Sequence, residues 1–243
     1  MSMRSSEDNS WLMQPIGWLR SCYHEKFAVP RQPGLAPAAT AQLVLVAPYD
    51  HPDCVAGLET YSHLWLTFVF HQTQAQGWKP KVRPPRLGGN QKVGVFASRS
   101  TFRPNGLGLS VVRLERIEQG EELVLHLSGV DLIDGTPILD IKPYLPWSDA
   151  HPEAHATWAP DAPAPLTVRF SPSVQAQLAV HPEGAWLEQL LTQVLSQDPK
   201  PAYQKPQPER LYGVALAQHN VRFRYLSAET LEIVELQPLD RPN

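Results

Sequence analysis

The sequence predicts a mainly β protein, an antiparallel β-barrel (not a Rossmann fold) followed by a small α+β domain. Three observations lead there. Six short apolar or alternating runs, rich in β-branched and aromatic residues and bounded by Gly, Pro, Asn or Asp, lie between residues 42 and 141, which is the pattern of strands separated by turns. None of these runs is followed by a long amphipathic helix, so the crossovers that a parallel sheet needs are missing. In "GAWLEQLLTQVLSQ", Trp186/Leu187, Leu190/Leu191 and Val194/Leu195 recur every four residues, giving one apolar stripe on a helix.

In order, the predicted strands are "QLVLVA" (42–47), "HLWLTFVF" (63–70), "KVGVFA" (92–97), "LSVVRLER" (109–116), "ELVLHLSGV" (122–130) and "TPILDI" (136–141). From Pro146 to Pro165 five prolines and six alanines show little apolar patterning, the composition of a linker. The predicted division is therefore a barrel domain over 1–150, a Pro/Ala-rich linker over 151–165 and a small domain over 166–243. In the last of these, "DPKP" stops the helix, and "LYGVALA", "VRFRYLS" and "TLEIVELQP" read as three closing strands.

Composition excludes several classes. No apolar run reaches eighteen residues, and "MSMRSSEDNSWLMQ" lacks the apolar core of a signal peptide, so a cytoplasmic protein with no membrane association is expected. Cys22 and Cys54 form no C-x-x-C pair, and they read as small apolar residues instead of a disulfide framework or zinc site. There is no H-E-x-x-H. His63 and His71 stand roughly 26 Å apart if extended, so no metal is expected. Neither a G-x-G-x-x-G after a strand nor a P-loop is present, and Ser98, Ser100 and Ser110 lie in no G-x-S-x-G elbow.

The net charge of −3 conceals an asymmetry. From Thr60 to Leu114 there is no Asp or Glu, although the chain holds 24 acids. The same stretch holds Lys79, Lys81, Arg83, Arg86, Lys92, Arg99, Arg103 and Arg113. Such a segment lies under a positive field and attracts an anion, with nucleic acid the natural class. Three Pro- and Gly-containing loops carry charge: 26–35, 79–110 and 131–146, which bring in Arg31, Arg86, Arg99, Arg103 and Lys142. Loops of fixed shape on a rigid barrel are where function usually sits.

The strings "PIGWLRSCYHEKFAVPRQPGL", "GLETYSHLWLTFVFHQT", "VRPPRLGGNQKVGVFASRSTFRPNGLGLS" and "DLIDGTPILDIKPYLP" resemble, in order, the signature blocks of the TsaA/TrmO family of S-adenosylmethionine-dependent tRNA N6-methyltransferases. "LSQDPKPAY" and "LYGVALAQHNVRFR" resemble the extra domain of its longer bacterial members. The resemblance implies a homodimeric β-barrel enzyme with S-adenosyl-L-methionine near the subunit interface. It also implies methylation of N6 of threonylcarbamoyladenosine at tRNA position 37, beside the anticodon. Carried onto this chain, the cofactor contacts are Arg31, Gln32 and Pro33, then His71 and Gln72, then Arg99 and Leu109, then Asp131, Leu132, Ile133 and Asp134. Gly106 stands in "RPNGLG" where the family has proline or alanine, which loosens a turn without removing chemistry.

The acceptor nitrogen lies between a purine and a carbamoyl carbonyl and is a poor nucleophile until deprotonated, so a base or strong positioning is needed. The candidates are Asp134 first, then Asp140 and His71. Arg31 or Arg99 suits the cofactor carboxylate, and Asp131 or Asp134 suits the sulfonium. Lys79, Lys81, Arg83, Arg86, Lys92, Arg103 and Lys142 are the candidate RNA contacts, with Trp78 or Phe102 available for base stacking. Two other functions use the same residues: a noncatalytic RNA-binding barrel, and a hydrolase of a phosphorylated small molecule.

Overall fold

The computed structural model describes residues 11–85, 91–200, 204, 206–207 and 209–239. Alternation of inward apolar and outward polar side chains builds the first unit. Its strands are β1 (Gly17–Ser21), β2 (Thr40–Leu45), β3 (His63–Val69), β4 (Lys81–Val82), β5 (Val93–Gly94), β6 (Leu107–Gln119), β7 (Leu123–Ser128) and β8 (Thr136–Pro143). Six of these close into a barrel in the order β1-β2-β7-β6-β3-β8, and every neighbouring pair is antiparallel. Leu64, Leu66 and Phe68 of β3, Leu43 of β2, Leu125 and Leu127 of β7 and Ile138 of β8 are at most 5% exposed and form the barrel core.

One predicted strand is corrected and one unpredicted strand is added. The run 92–97 is not a barrel strand: only Val93–Gly94 pairs, with Lys81–Val82 outside the barrel, and Val95–Ala97 turns into a single 3₁₀ turn. Its place in the ring is taken by β1, whose five residues alternate buried and exposed around Leu19. So short a strand, broken by Gly17 and Arg20, shows little periodicity on its own. Gly17 is required by packing, because a Cβ there would stand 2.4 Å from the Val44 carbonyl oxygen.

After α1 (Pro146–Asp149), residues 150–166 contain no strand or helix. A second sheet follows, made of β9 (Thr167–Phe170), β10 (Tyr212–Leu216), β11 (His219–Tyr225) and β12 (Thr230–Pro238) in the order β10-β11-β12-β9. The three closing strands are those predicted, while β9, parallel to β12, is an addition. The predicted helix is α3 (Gly184–Leu195), and α2 (Pro172–Val180) precedes it, capped by Ser171 Oγ accepting from the Val174 amide. Leu187, Leu190, Leu191, Val194 and Leu195 of α3 are fully buried in one cluster with Val221, Phe223, Tyr225, Leu231 and Ile233. No described helix is long and apolar enough to cross a membrane.

Candidate active site at one end of the barrel

The antiparallel order fixes where the loops go. β1, β3 and β7 run one way and β2, β6 and β8 the other, so the connections 22–39, 70–106 and 129–135 all leave the same end of the barrel. These connections hold most of the residues nominated for cofactor and RNA. A cleft of about 660 Å³, lined by Asp53, Glu59, Glu115 and Arg116 among others, lies at the other end and contains none of them.

The connection 129–135 joins β7 to β8, which face each other across the ring with two strands between them on either side. It therefore has to cross the barrel end. Val130 and Leu132 bury their side chains there, at 1% and 2% exposure, and Asp131 between them is half-buried. Burial pushes the Asp131 carboxyl up to about 6, against the opposing pull of a hydrogen bond from Ser110 and the Arg99 charge. Ser110 is an inward-facing residue of β6, 2% exposed, in a row otherwise made by Gly108, Val112 and Leu114. Its hydroxyl donates to Asp131 Oδ1 at 2.7 Å. A polar residue in that row is satisfied by a charged one on the crossing loop.

The 22–39 connection is fastened to both of its neighbours. The Gly34 amide donates to the Gly129 carbonyl at 2.9 Å, and the Gly129 amide donates to the Ala39 carbonyl at 2.9 Å. Lys26 Nζ donates to the Gln72 carbonyl at 2.9 Å, reaching the end of the apolar strand β3. Arg31, Gln32 and Pro33 thus stand beside the Asp131 loop, and Gln72 stands within reach of Lys26. Arg31 is exposed, and His71 is half-buried with its amide turned back onto Val69. Leu109, 50% exposed, points outward on β6 next to Ser110.

Asp134 and Asp140 do other things. Asp134 Oδ1 accepts from the Ser21 amide at 2.8 Å, and the Asp134 amide donates to the Tyr23 carbonyl. Its carboxylate thereby closes the β1 end onto the turn at Gly135, whose φ is +73°. That is turn chemistry, made by the carboxylate nominated first as a base. Asp140 is exposed on β8, where its Oδ1 accepts from the amide of Ile141. Among the described residues, Ser110 is the side chain hydrogen-bonded to Asp131, and Asp140 takes no part in that pair.

The basic stretch occupies the 70–106 excursion. Lys79 Nζ sits 3.8 Å from the Phe102 ring centroid, and Arg103 lies over Phe96 while donating to the Ser98 carbonyl at 3.1 Å. Lys81, Arg83, Lys92 and Arg99 are exposed, as are Trp78 at 56% and Phe96 at 77%. Cations interleaved with exposed rings suit a single-stranded nucleic acid, where rings stack on bases and cations meet phosphates. Arg86 lies outside the described residues. Lys142 sits six residues along β8 from the end where these loops emerge, roughly 20 Å at strand spacing, and its field acts on Asp149.

Two groups had no signal strong enough to nominate them. The Tyr23 hydroxyl is buried without a hydrogen-bond partner among the described residues, and burial first, then Cys22 and Asp131, raise its pKa. Phe96 reads in sequence as part of a strand, and only its 3₁₀ turn turns it outward.

S-adenosylmethionine fits the residues present. Gln32 Oε1 is buried without a partner among the described residues, and so is the Tyr23 hydroxyl. Buried polar atoms left open cost free energy unless a ligand or water meets them. A half-buried carboxylate for a sulfonium and exposed arginines for a carboxylate complete a donor set of suitable chemistry.

The comparisons with known proteins agree along the whole chain. The family profile for the tRNA-methyltransferase O N-terminal domain matches residues 18–150, and that for the TrmO C-terminal domain matches residues 163–239. The chain is 48% identical over 234 residues to a tRNA (adenine(37)-N6)-methyltransferase of Escherichia coli, covering 95% of this chain and 99% of that one. It is 51% identical over 229 residues to a putative S-adenosylmethionine-dependent methyltransferase of Pseudomonas aeruginosa, covering 92% and 96%. The crystal structure of TrmO from Pseudomonas aeruginosa superposes with a TM-score of 0.79 at 41% identity, over 94% of this chain and 98% of that one. With both domain profiles matched in order and the barrel shared with a solved relative, the chain belongs to the TrmO family.

Proposed function

We propose that this protein methylates N6 of the adenosine at position 37 of tRNA, with S-adenosylmethionine as donor and threonylcarbamoyladenosine as the nucleoside acted on. The observation that carries the reading is Asp131, a half-buried carboxylate on a loop across the barrel end, hydrogen-bonded by Ser110 and within the field of Arg99. S-adenosylmethionine supplies an electrophilic methyl group on a sulfonium. Asp131, ionised above its raised pKa of about 6, faces positive charge and is our candidate to receive the proton that the acceptor nitrogen gives up as its new bond to carbon forms. Gln32 and Tyr23 orient donor groups of the bound cofactor, Arg31 or Arg99 meets its carboxylate, and His71, Gln72, Leu109, Leu132 and Ile133 line its surroundings.

On this reading the excursion with Lys79, Lys81, Arg83, Lys92 and Arg103 holds the anticodon arm by its phosphates. Phe96 and Trp78 stack on splayed bases. The reading also includes a cytoplasmic homodimer. Trp11, Leu12, Met13 and Trp18, between 48% and 93% exposed, leave an apolar surface near β1 that a second copy would cover. The division into 1–150 and 166–243, joined by 151–165, belongs to the same proposal.

The test is calorimetric titration with S-adenosylmethionine, followed by nucleoside analysis of threonylcarbamoyl-modified tRNA incubated with enzyme and cofactor. Binding and the gain of one methyl group on the modified nucleoside are expected. RNA binding without cofactor binding would make this a noncatalytic barrel, and turnover of a phosphorylated small molecule without a methyl donor would make it a hydrolase.

A further inference from the structure

The connection 22–39 is held from outside the barrel at both ends. At its far end the Ala38 amide donates to Gln193 Oε1 at 2.7 Å, and the Ala38 carbonyl accepts from Trp186 Nε1 at 2.9 Å. Both peptide groups of Ala38 are therefore satisfied by side chains of α3. At the near end the Ala217 amide donates to the Cys22 carbonyl at 2.8 Å, Tyr23 pairs with Leu216, and Glu25 Oε1 accepts from the Ala215 amide at 2.7 Å. Between these, Phe27 stacks on Phe223 with ring centroids 6.4 Å apart. An eighteen-residue connection with no strand or helix of its own has many conformations to lose, and here the second sheet and α3 remove them.

The hold continues inward. Ala39, next to the clamped Ala38, accepts from the Gly129 amide, and Gly34 donates to the Gly129 carbonyl. Gly129 is thus gripped on both sides, in a left-handed conformation with φ +69°, two residues before Asp131. A line of direct contacts runs from Trp186 and Gln193 through Ala38 and Ala39 to Gly129 and Gly34.

We infer that Trp186 and Gln193 are positioning residues for cofactor binding: α3 holds the 22–39 connection in the shape that presents Arg31, Gln32 and the Asp131 loop to S-adenosylmethionine. The inference rests on the proposed cofactor site and adds to it a role for the C-terminal unit that is not RNA contact. Without the clamp the competent shape of the connection is one of several, and apparent affinity falls in proportion to its population.

Full-length Trp186→Phe, Gln193→Met and the double variant test this against wild type. The helix keeps its apolar face in Leu187, Leu190, Leu191 and Val194, and Gln193→Glu keeps the acceptor oxygen as a conservative control. The dissociation constant for S-adenosylmethionine is expected to rise about fivefold in each single variant and about tenfold or more in the double, the effect of losing one or two ordinary hydrogen bonds. Amide exchange at Gly34 and Gly129 should quicken while β3 and β7 stay protected. The KM for tRNA and kcat at saturating cofactor should change little, and Gln193→Glu should bind cofactor as wild type does. Unchanged cofactor affinity in the double variant would overturn the inference, and so would a raised KM for tRNA with cofactor affinity intact, which would make α3 an RNA element. Failure of wild type itself to bind S-adenosylmethionine would overturn the site reading, and exchange at Gly34 and Gly129 would still decide whether α3 holds the connection.

Discussion

Ser110 Oγ donates a 2.7 Å hydrogen bond to Asp131 Oδ1, tying an inward position of β6 to the loop that crosses the barrel end. The carboxylate is partly shielded from water by the fold and is met by the Ser110 hydroxyl, its own backbone amide and a nearby Arg99 charge, so its protonation bears on both stability and chemistry.

Asp131→Asn separates those two effects. The folded-state pKa of about 6 is raised above the ordinary 3.8. Its contribution to stability is therefore full below about pH 4 and lost as pH rises through about 6, where the ionised form costs the fold up to about 2–3 kcal/mol. Asparagine keeps an acceptor for Ser110 and cannot ionise. Thermal melts should show the variant more stable than wild type at pH 8, with the difference vanishing toward pH 4. Methyl transfer should fall about 10²-fold or more, and wild-type activity should decline as pH drops through about 6. A variant with normal single-turnover rates removes Asp131 from the chemistry.

Tyr23→Phe deletes a buried hydroxyl that has no partner among the described residues. Stability without cofactor should stay the same or rise by about 1 kcal/mol, while affinity for S-adenosylmethionine falls. A variant that loses stability yet binds cofactor normally shows that the hydroxyl serves the fold alone.

Asp134→Asn should be nearly silent, since its Oδ1 can still accept from the Ser21 amide. Asp134→Ala should cost about 1 kcal/mol in stability through the missing acceptor. A 10²–10⁴-fold loss of methyl transfer in the folded asparagine variant would return the base to Asp134.

Changing Lys79, Lys81 and Arg83 together to alanine should weaken tRNA binding and flatten its salt dependence. For every phosphate no longer neutralised, the slope should shrink by roughly 0.7 if the strand is single. Calorimetry should find cofactor affinity close to wild type. An unchanged salt slope moves the RNA face elsewhere.

Gly108→Ala should destabilise the barrel by about 1–3 kcal/mol, the usual cost of overpacking. A Cβ there would stand 2.2 Å from the Phe68 ring across the β3–β6 pair. Phe68→Leu in the same chain should recover part of the loss in a double-mutant cycle, and additive losses would mean that the ring is not the obstacle.

Much of this architecture is legible in the sequence because period-two alternation is a local property. "HLWLTFVF" and "LSVVRLER" announce β3 and β6 without any knowledge of their neighbours, and the four-residue recurrence from Trp186 to Leu195 announces α3. Positive charge without acid from Thr60 to Leu114 is equally local. β1 stays hidden because five residues are too few to show a period, and "KVGVFA" misleads because an apolar run says nothing about whether a partner strand is available.

The sequence by itself determined the antiparallel character, the helix, the basic stretch and, through motif resemblance, the family. Only the tertiary structure decided which carboxylate is unusual. Asp131 and Asp134 are three residues apart in one turn-rich string, and nothing local ranks them. The order of strands round the barrel sends their loop across its mouth, half-burying Asp131 between the buried Val130 and Leu132 and leaving Asp134 at the rim on the Ser21 amide. Burial of a charge depends on what the rest of the chain packs around it, and that is set by contacts between residues far apart in sequence.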